Sequence, residues 1–444
     1  MSTRIFSAEL VLPGGIGESV PDGAVVVEGE LITEIGPRAA ILERAAPGTP
    51  VIDLGGATIL PGLIDCHVHL VFDASADPVA GLTRIEDRSL LLAMAGRARQ
   101  LLDAGVTTAR DLGDRNLLAV RLRDAIAAGQ VPGPRVLSAG TPVTVTGGHC
   151  WFLGGEADGP EQIRTQVRRN LRDGADLTKI MVTGGTMTAG GPPPWQVQFT
   201  PGELSLAVTE TVRFGRRVAA HVHGLAGISA ALAAGVHTIE HCSFATADGR
   251  LEATARDRLI REIAEAGTPV CPTFSATLDA VQQRRGAEVL DPWLERVRRQ
   301  YEAGVSLIAG TDAGIQDAPF DRYAEGLLWY SRAGLPAEAV LEMATTRAAA
   351  ALGLSELTGR LAPGMSADLL AVAGDPRIDL RLLRTPVLVL ARGRMHLPTD
   401  TVERISRSSL SEPGRPAPTG ADHPAPAGAD RPAPTGAYRP EKIG

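Results

Sequence analysis

The side chains best able to do chemistry in this sequence are two histidines that follow an apolar run. Residues 58–66 are rich in Leu and Ile, as in a buried strand, and His67 and His69 come directly after them. Because successive side chains of a strand point to opposite faces, the two imidazoles face the same way, about 6.5 Å apart along the chain. Imidazoles so placed can bind one divalent ion such as zinc, although an ordinary polar pair at a strand end is the alternative.

Further polar side chains stand at the ends of later strand-like segments. His221 and His223 close one segment, His241 closes another, and Asp312 follows a third. If these strands are parallel, their carboxyl ends meet at one rim and the side chains converge there. Most histidines fall at such ends rather than on helices, which favours a functional cluster over chance placement.

Lys179 is the unusual member of this set because it lies inside the strand-like segment 177–182. A buried ammonium group is costly unless it is paired or loses its charge. Three interpretations are open: an ion pair with Asp176 or Asp312, a Schiff-base lysine, or a neutral amine that takes up carbon dioxide. The resulting carbamate is an anion whose two oxygens can bridge two cations. The histidines nearby favour the carbamate.

Strand-like and helix-like segments alternate through the middle of the chain. The strand-like segments are the one ending at His69 and 107–111, 135–140, 177–182, 218–221, 238–241, 269–273 and 305–311. The helical segments between them include 90–102, 160–171, 203–214 and 252–266. Such alternation predicts an α/β fold of parallel βαβ units, and eight repeats are the number in a (β/α)8 barrel. The rival, an open doubly wound sheet, would carry a glycine-rich turn after its first strand, where residues 65–69 stand instead.

The two ends of the chain are rich in short strands, which suggests that they meet in one small β-sandwich. We therefore predict a β-sandwich domain from residues 1–58 and 359–400 and a barrel from residues 59–358. The remaining residues, 401–444, contain an eight-residue repeat of Pro, Gly and Ala that begins at 415, 423 and 431. A repeat with so little to bury is predicted to be a disordered tail, either inert or used in recognition.

Composition excludes several classes of protein. The net charge of −7 over 444 residues and the absence of a basic run argue against a nucleic-acid partner. No apolar core of a signal peptide and no charge-free segment of membrane-spanning length is present. The four cysteines are scattered and form no Cys-x-x-Cys pair. We therefore expect free buried thiols in a reducing cytoplasm rather than a zinc-thiolate site. We expect a cytoplasmic protein with a small-molecule substrate.

Several motifs together resemble one enzyme superfamily. They are residues 60–69, 146–149, Lys179, 221–224, 239–241, 310–314 and 359–369. This set is similar to the amidohydrolase superfamily and, within it, to the imidazolonepropionase-related and metal-dependent Xaa-dipeptidase group. The resemblance extends over about residues 1–400 and leaves the repeat tail outside.

The resemblance implies a site with two divalent metal ions, usually zinc. His67, His69 and Asp312 would hold the more buried ion, and His221 and His241 the other. Carbamylated Lys179 and a hydroxide would bridge them. Asp312 would act as the general base when the hydroxide attacks and then as the acid for the leaving nitrogen.

The resemblance also implies roles for two further histidines and an activity. His149 and His223 would contact substrate, and a homo-oligomer is expected. Cleavage of an amide C–N bond in a dipeptide or N-acyl amino acid is the main hypothesis. The alternatives are a mononuclear deaminase or cyclic-amide hydrolase similar to imidazolonepropionase, an ester, lactone or phosphotriester hydrolase, and a scaffold without activity.

Three supporting features are predicted around the site. Arg110 and Asp111 are expected to form an internal ion pair, and the loop 184–195 is either a lid or a plain connection. Dipeptidases of the resembling group often carry a tyrosine shortly after the strand-five histidine, and this chain lacks it. Arg322 and Tyr323 are the nearest substitutes for binding a substrate carboxylate.

Overall fold

Strands and helices alternate along most of the chain. A computed structural model describes residues 3–15, 17–249 and 252–398. Within these ranges the strands are β1 (Thr3–Val11), β2 (Val20–Glu28), β3 (Leu31–Pro37), β4 (Val51–Asp53), β5 (Ala57–Pro61), β6 (Leu63–Val68), β7 (Val106–Asp111), β8 (Arg135–Ser138), β9 (Leu177–Met181), β10 (Arg217–Gly224), β11 (Thr238–Ala245), β12 (Val270–Cys271), β13 (Leu369–Ala373), β14 (Leu388–Ala391) and β15 (Arg394–His396).

The helices mostly follow the strands of the middle region. They are α1 (Arg38–Arg44), α2 (Pro78–Arg84), α3 (Asp87–Asp103), α4 (Leu118–Ala127), α5 (Gly159–Arg172), α6 (Pro201–Arg213), α7 (Leu225–Ala234), α8 (Ala253–Ala266), α9 (Thr277–Arg285), α10 (Asp291–Glu302), α11 (Tyr323–Arg332), α12 (Ala337–Met343) and α13 (Thr346–Leu352). The four predicted helical segments correspond to α3, α5, α6 and α8. No helix within the described ranges combines the length and apolar character needed to cross a membrane.

Strands from both ends of the chain form one sheet. Its order is β15-β14-β13-β5-β1-β2-β3, with β4 pairing β1 at its side. The hairpin between β2 and β3 turns at Gly29, whose φ of +61° suits a residue without a Cβ. Phe6, Val27, Ile59 and Leu369 are buried together and join the first strands to the last ones. The apolar alternation at the two ends therefore encodes a common sheet.

The strands of the middle are parallel and form two sheets, β6-β7-β8 and β12-β11-β10-β9. On one side Val143 links the sheets, because its N–H donates to Lys179 O (2.8 Å) and its carbonyl accepts from Met181 N (2.9 Å). On the other side residues 305–313 lie between β12 and β6. There Ile308 N donates to Val270 O (2.9 Å), and Cys66 N donates to Ala309 O (3.0 Å). These bonds connect the edges of the two parallel sheets.

Two strand predictions need correction. The apolar run 58–66 is not one strand, because the chain breaks at Gly62, where any Cβ would collide with Thr107. Its first part, β5, belongs to the sheet of the chain ends, and its second part, β6, to the parallel strands. The segment 305–311 is extended and hydrogen-bonded on both sides but is not a regular strand. Gly310 approaches Cys271 and His67 there so closely that a Cβ would lie 2.6 Å from the thiol sulfur.

The main hydrophobic core lies between the parallel strands and the helices around them. β6, β7 and β9 are buried along their whole lengths, as expected for parallel strands covered on both faces. All described residues belong to one compact unit. The predicted repeat tail, 401–444, lies outside the described residues.

Candidate metal centre and active site

Three ligand atoms converge at the carboxyl end of β6. His67 Nε2, His69 Nε2 and Asp312 Oδ1 are each 3.3 Å from the other two. The pairing of Asp312 N with His67 O (2.7 Å) brings the aspartate beside the histidines. Ligand atoms bound at about 2.0–2.1 Å to a tetrahedral zinc ion are separated by about 3.3 Å. The spacing of this triangle therefore fits one divalent metal ion.

The hydrogen bonds around the triangle orient its lone pairs inward. His67 Nδ1 donates to Glu240 Oε2 (2.9 Å), and His69 Nδ1 donates to Gly113 O (3.1 Å). Because each Nδ1 carries the proton, each Nε2 keeps a lone pair for a metal ion. The three ligand atoms therefore have both the spacing and the lone pairs that a metal ion requires.

A second cluster adjoins the first through His241. Nitrogen atoms of His221, His223 and His241 lie within 4.8 Å of one another, and His241 is equally close to His67 and Asp312. His241 Nδ1 donates to Thr273 Oγ1 (3.0 Å), so its Nε2 keeps a lone pair. Burial and the neighbouring histidines hold the pKa values of His221 and His241 well below 6.5, which keeps both imidazoles neutral. The predicted second pair of metal-binding histidines is therefore together in space.

Lys179 lies under both clusters and has no hydrogen-bond partner. It is 1% exposed, and its Nζ atom is buried without a donor or acceptor contact. Burial lowers the pKa of this amine to about 8, although Glu240 and Asp312 partly oppose the shift. The ion-pair interpretation is wrong for Asp176, which instead accepts from Arg123 (2.6 Å). An unpartnered buried amine beside histidines and carboxylates is the group that a carbamate-forming lysine requires.

Arg110 and Glu240 form an ion pair that the sequence did not predict. Arg110 donates to Glu240 Oε1 (2.7 Å), to Cys66 O (2.7 Å) and to Thr238 Oγ1 (2.9 Å). Arg110, followed by His67, lowers the pKa of Glu240 despite complete burial of the carboxylate. The predicted pair of Arg110 with Asp111 is wrong, because neighbours on a strand point to opposite faces.

Backbone conformation at the strand ends is unusual. His241 and Asp312 have positive φ angles of 68° and 59°. Such angles are uncommon for residues with a Cβ and cluster at functional sites. The Asp65 carboxylate supports this region by accepting from Thr311 N (3.0 Å), Thr311 Oγ1 (2.6 Å) and His67 N (3.1 Å). These bonds fix the backbone at His67 and at the residue before Asp312.

His149 lies beside the second cluster, where its ring stacks on His221 at a centroid distance of 4.4 Å. Thr188 Oγ1 accepts from Cys150 N (2.8 Å) and is 3.2 Å from His149 Nδ1, so its hydroxyl can donate to that nitrogen. Burial lowers the pKa of His149 to about 3. The ring is consequently neutral, with its proton on Nε2. Gly185 covers the ring so closely that a Cβ would collide with it.

His223 is adjacent to the other imidazoles but partly exposed. Its ring stacks on His241 at a centroid distance of 4.7 Å, and its Nδ1 lies 2.9 Å from Ser243 Oγ. Burial, with a contribution from Arg296, lowers its pKa to about 4. The loop 184–195 also reaches this region, because Gly184 O accepts from His221 Nε2 (3.1 Å). Its role as a lid stays a prediction.

The suggested substitutes for a carboxylate-binding tyrosine are engaged elsewhere. Arg322 contacts Glu325 (3.1 Å), and the buried hydroxyl of Tyr323 donates to Ile64 O (2.7 Å). The Tyr323 hydroxyl is therefore not available to a substrate, and that part of the expectation is wrong. The role of Arg322 stays a prediction. The expectation for the cysteines is confirmed: all four are free and buried.

The comparisons with known proteins agree with the site. The amidohydrolase family model matches residues 58–399. Ochratoxinase from Aspergillus niger is 30% identical over 87% of this chain and 84% of its own length. Imidazolonepropionase from Cereibacter sphaeroides is 26% identical over 79% of this chain and 88% of its own. A crystal structure of a Xaa-Pro dipeptidase with bound methionine has a TM-score of 0.78 and 29% identity, over 89% of this chain and all of the other.

The matched family segment begins just before the first histidine pair and continues past Asp312, so it contains every metal-ligand candidate derived from the sequence. The family model, the relatives and the solved structure therefore all assign this chain to one family of hydrolases. This chain is a hydrolase of the amidohydrolase family.

Proposed function

We propose that this protein cleaves an amide bond in a dipeptide or an N-acyl amino acid with the help of two divalent metal ions. The observation that carries the proposal is the convergence of His67, His69 and Asp312 on one point with their lone pairs inward. We also infer that the linked parallel strands form a closed (β/α)8 barrel and that the sheet of the chain ends forms a small β-sandwich.

The residues fit two cation positions. His67, His69 and Asp312 would hold one ion, and His221 and His241 would hold the other, with carbamylated Lys179 between them. When bound, divalent ions of this kind supply an activated water molecule and polarise a carbonyl group. Zinc suits the mixed imidazole and carboxylate ligands.

Asp312 is the group proposed to move the proton. Its Oδ1 atom faces both histidines of the triangle, which leaves Oδ2 to accept a proton from the attacking water. The same oxygen then returns the proton to the leaving nitrogen. A cation held by His67, His69 and Asp312 would favour the ionised form of this carboxyl before the reaction starts.

His149 and His223 are the proposed substrate contacts. The Nε2–H of His149 is free to donate to a substrate oxygen, because Thr188 engages the other ring nitrogen. A donor placed before the reaction starts stabilises negative charge as it develops on that oxygen. His223 is the more exposed histidine of the second cluster, which supports a contact with substrate rather than with metal.

The decisive experiment combines metal analysis with a substrate screen. Purified protein should contain two divalent ions per chain and hydrolyse N-acyl amino acids or dipeptides. Lys179→Ala should lose nearly all activity, and short carboxylic acids should restore part of it. The matched control is Lys442→Ala, because Lys179 and Lys442 are the only lysines of the sequence.

Carbon-13 NMR after exchange with labelled bicarbonate tests the carbamate directly. The wild-type protein and Lys442→Ala should show one carbamate resonance that Lys179→Ala lacks. Full activity without Lys179 would overturn the proposal. A single metal ion per chain, together with turnover of a cyclic amide, would favour the imidazolonepropionase-like alternative, which the relative from Cereibacter sphaeroides supports.

A further inference from the structure

A basic cavity lies at the end of the parallel strands opposite the histidines. Its volume is about 500 Å³, and its wall contains Arg110 of β7 and the first residues of four strands, namely Arg135 of β8, Leu177 of β9, Arg217 of β10 and Thr238 of β11. The candidate metal centre lies beyond the other ends of these strands, where His221 of β10 stands. This amino-end cavity is therefore separate from the proposed active site.

Two guanidinium groups in this wall lack an acidic partner. Neither Arg216 nor Arg217 forms an ion pair with any described residue, and Arg217 makes only one long bond, to Ala351 O (3.4 Å). Among the described lining residues Asp176 is the one acid, and it is already neutralised by Arg123 (2.6 Å) and accepts from Ser138 N (2.9 Å). The cavity consequently carries uncompensated positive charge.

One neighbouring ring adds a hydrogen-bond donor. His237 Nδ1 accepts from Val218 N (3.1 Å), which leaves the ring proton on Nε2. Arg135 contributes less, because its guanidinium group already contacts Asp368 (3.2 Å). The Nε2–H of His237 is therefore the donor that this part of the wall offers to an acceptor in the cavity.

Two neighbouring cavities are also lined by arginine, although Arg168 and Arg172 there are paired with Glu210 (2.8 Å) and Asp173 (2.6 Å). A second cavity shares Arg217 and His237 with the first one, and a third shares Arg216 and includes Arg168, Arg169 and Arg172. No acidic side chain lines either of these two among the described residues. The whole chain has a net charge of −7, so this concentration of arginine is local. Such a field attracts anions to this face.

We propose that the amino-end cavity binds a small molecule that carries a phosphate group. Guanidinium groups match the geometry of phosphate oxygens and donate to them in pairs. The cavity is within the size range of small-molecule sites and exceeds what inorganic phosphate alone would fill. This inference is independent of the proposed amide hydrolysis.

Isothermal titration of the metal-loaded full-length protein with pyrophosphate tests the proposal. The variant Arg216→Gln/Arg217→Gln should bind at least about tenfold more weakly, since it loses two charge-assisted donors. The matched control Arg258→Gln/Arg298→Gln removes the same charge from exposed helix positions and should bind like wild type. Binding at the metal ions would be common to all three proteins and is thereby separated.

The hydrolase activity of both variants should equal that of wild type, because none of these arginines belongs to the proposed active site. If the double variant fails to fold, the single change Arg216→Gln at an exposed position serves instead. Equal affinity for pyrophosphate in wild type and the cavity variant would overturn the proposal, as would the absence of binding to wild type. Neither result would bear on amide hydrolysis.

Discussion

The buried ion pair of Arg110 and Glu240, next to the candidate metal centre, gives a sharp prediction for Arg110→Met. Arg110 is 3% exposed and makes three charge-assisted hydrogen bonds of 2.7–2.9 Å. Its loss leaves the carboxylate of Glu240 buried and without its cation. Removing one partner of a buried pair costs about 3–5 kcal/mol, a large share of the roughly 5–15 kcal/mol that stabilises a folded protein.

A double-mutant cycle separates the pair from its surroundings. Glu240→Gln preserves shape but leaves the guanidinium group of Arg110 uncompensated, so it should cost a similar amount. The double variant has no unpaired buried charge and should be destabilised by far less than the sum of the two. We expect a coupling energy of about 1.5–3 kcal/mol or more, in the range found for groups in direct contact.

Unfolding by urea, at fixed metal concentration, measures these differences. The control is Arg258→Met, which breaks an exposed pair with Glu262 at 3.4 Å and should cost less than about 1 kcal/mol. Glu240→Gln should also weaken zinc binding by about 10–100-fold, because the partner of His67 Nδ1 changes from a carboxylate to a neutral amide. Additive effects in the cycle, or unchanged zinc affinity, would refute this account of the pair.

Gly185→Ala should lower kcat by about a hundredfold in steady-state kinetics, because the new Cβ displaces the ring of His149. The control Gly202→Ala on α6 places its Cβ in open space and should match wild type. Thr188→Val should lower kcat by about ten- to a hundredfold through loss of the bond that fixes the His149 tautomer, and Thr188→Ser should retain activity. Removing metal with a chelator should abolish activity and lower the thermal midpoint, because three inward-facing acceptors then repel one another; zinc should restore both.

The convergence of the proposed metal ligands could be predicted because it depends on regular features of the sequence. His67 and His69 share a face through the period of two in a strand, and the ends of parallel strands meet at one rim. His221, His241 and Asp312 are brought to that rim by the same rule. To predict each of these positions, it is enough to know roughly where a strand ends, and the pattern of apolar residues indicates that.

The contacts of Glu240 with His67 and Arg110 could not be predicted from the sequence, because the backbone next to Glu240 departs from regular strand geometry. Strict alternation would place Glu240 and His241 on opposite faces, yet both contact the His67 side chain. The positive φ of His241 and of Cys242 turns the chain at this point and breaks the alternation. No local pattern indicates such a turn, and the partner of Glu240 is 130 positions away at Arg110. The ion pair of Arg110 with Glu240 could therefore be identified only from the three-dimensional structure.

The choice between arginine and lysine at buried positions supports the proposed carbamylation of Lys179. The chain uses arginine almost everywhere, since its 44 basic residues include only two lysines. Arginine stays charged in proteins and suits permanent pairs such as that of Arg110 with Glu240. A lysine amine can lose its proton when it is buried, and only a neutral amine can accept carbon dioxide. Lys179→Arg would keep a positive charge at this position but supply no carbamate, so it should be as inactive as Lys179→Ala and should not respond to carboxylic acids.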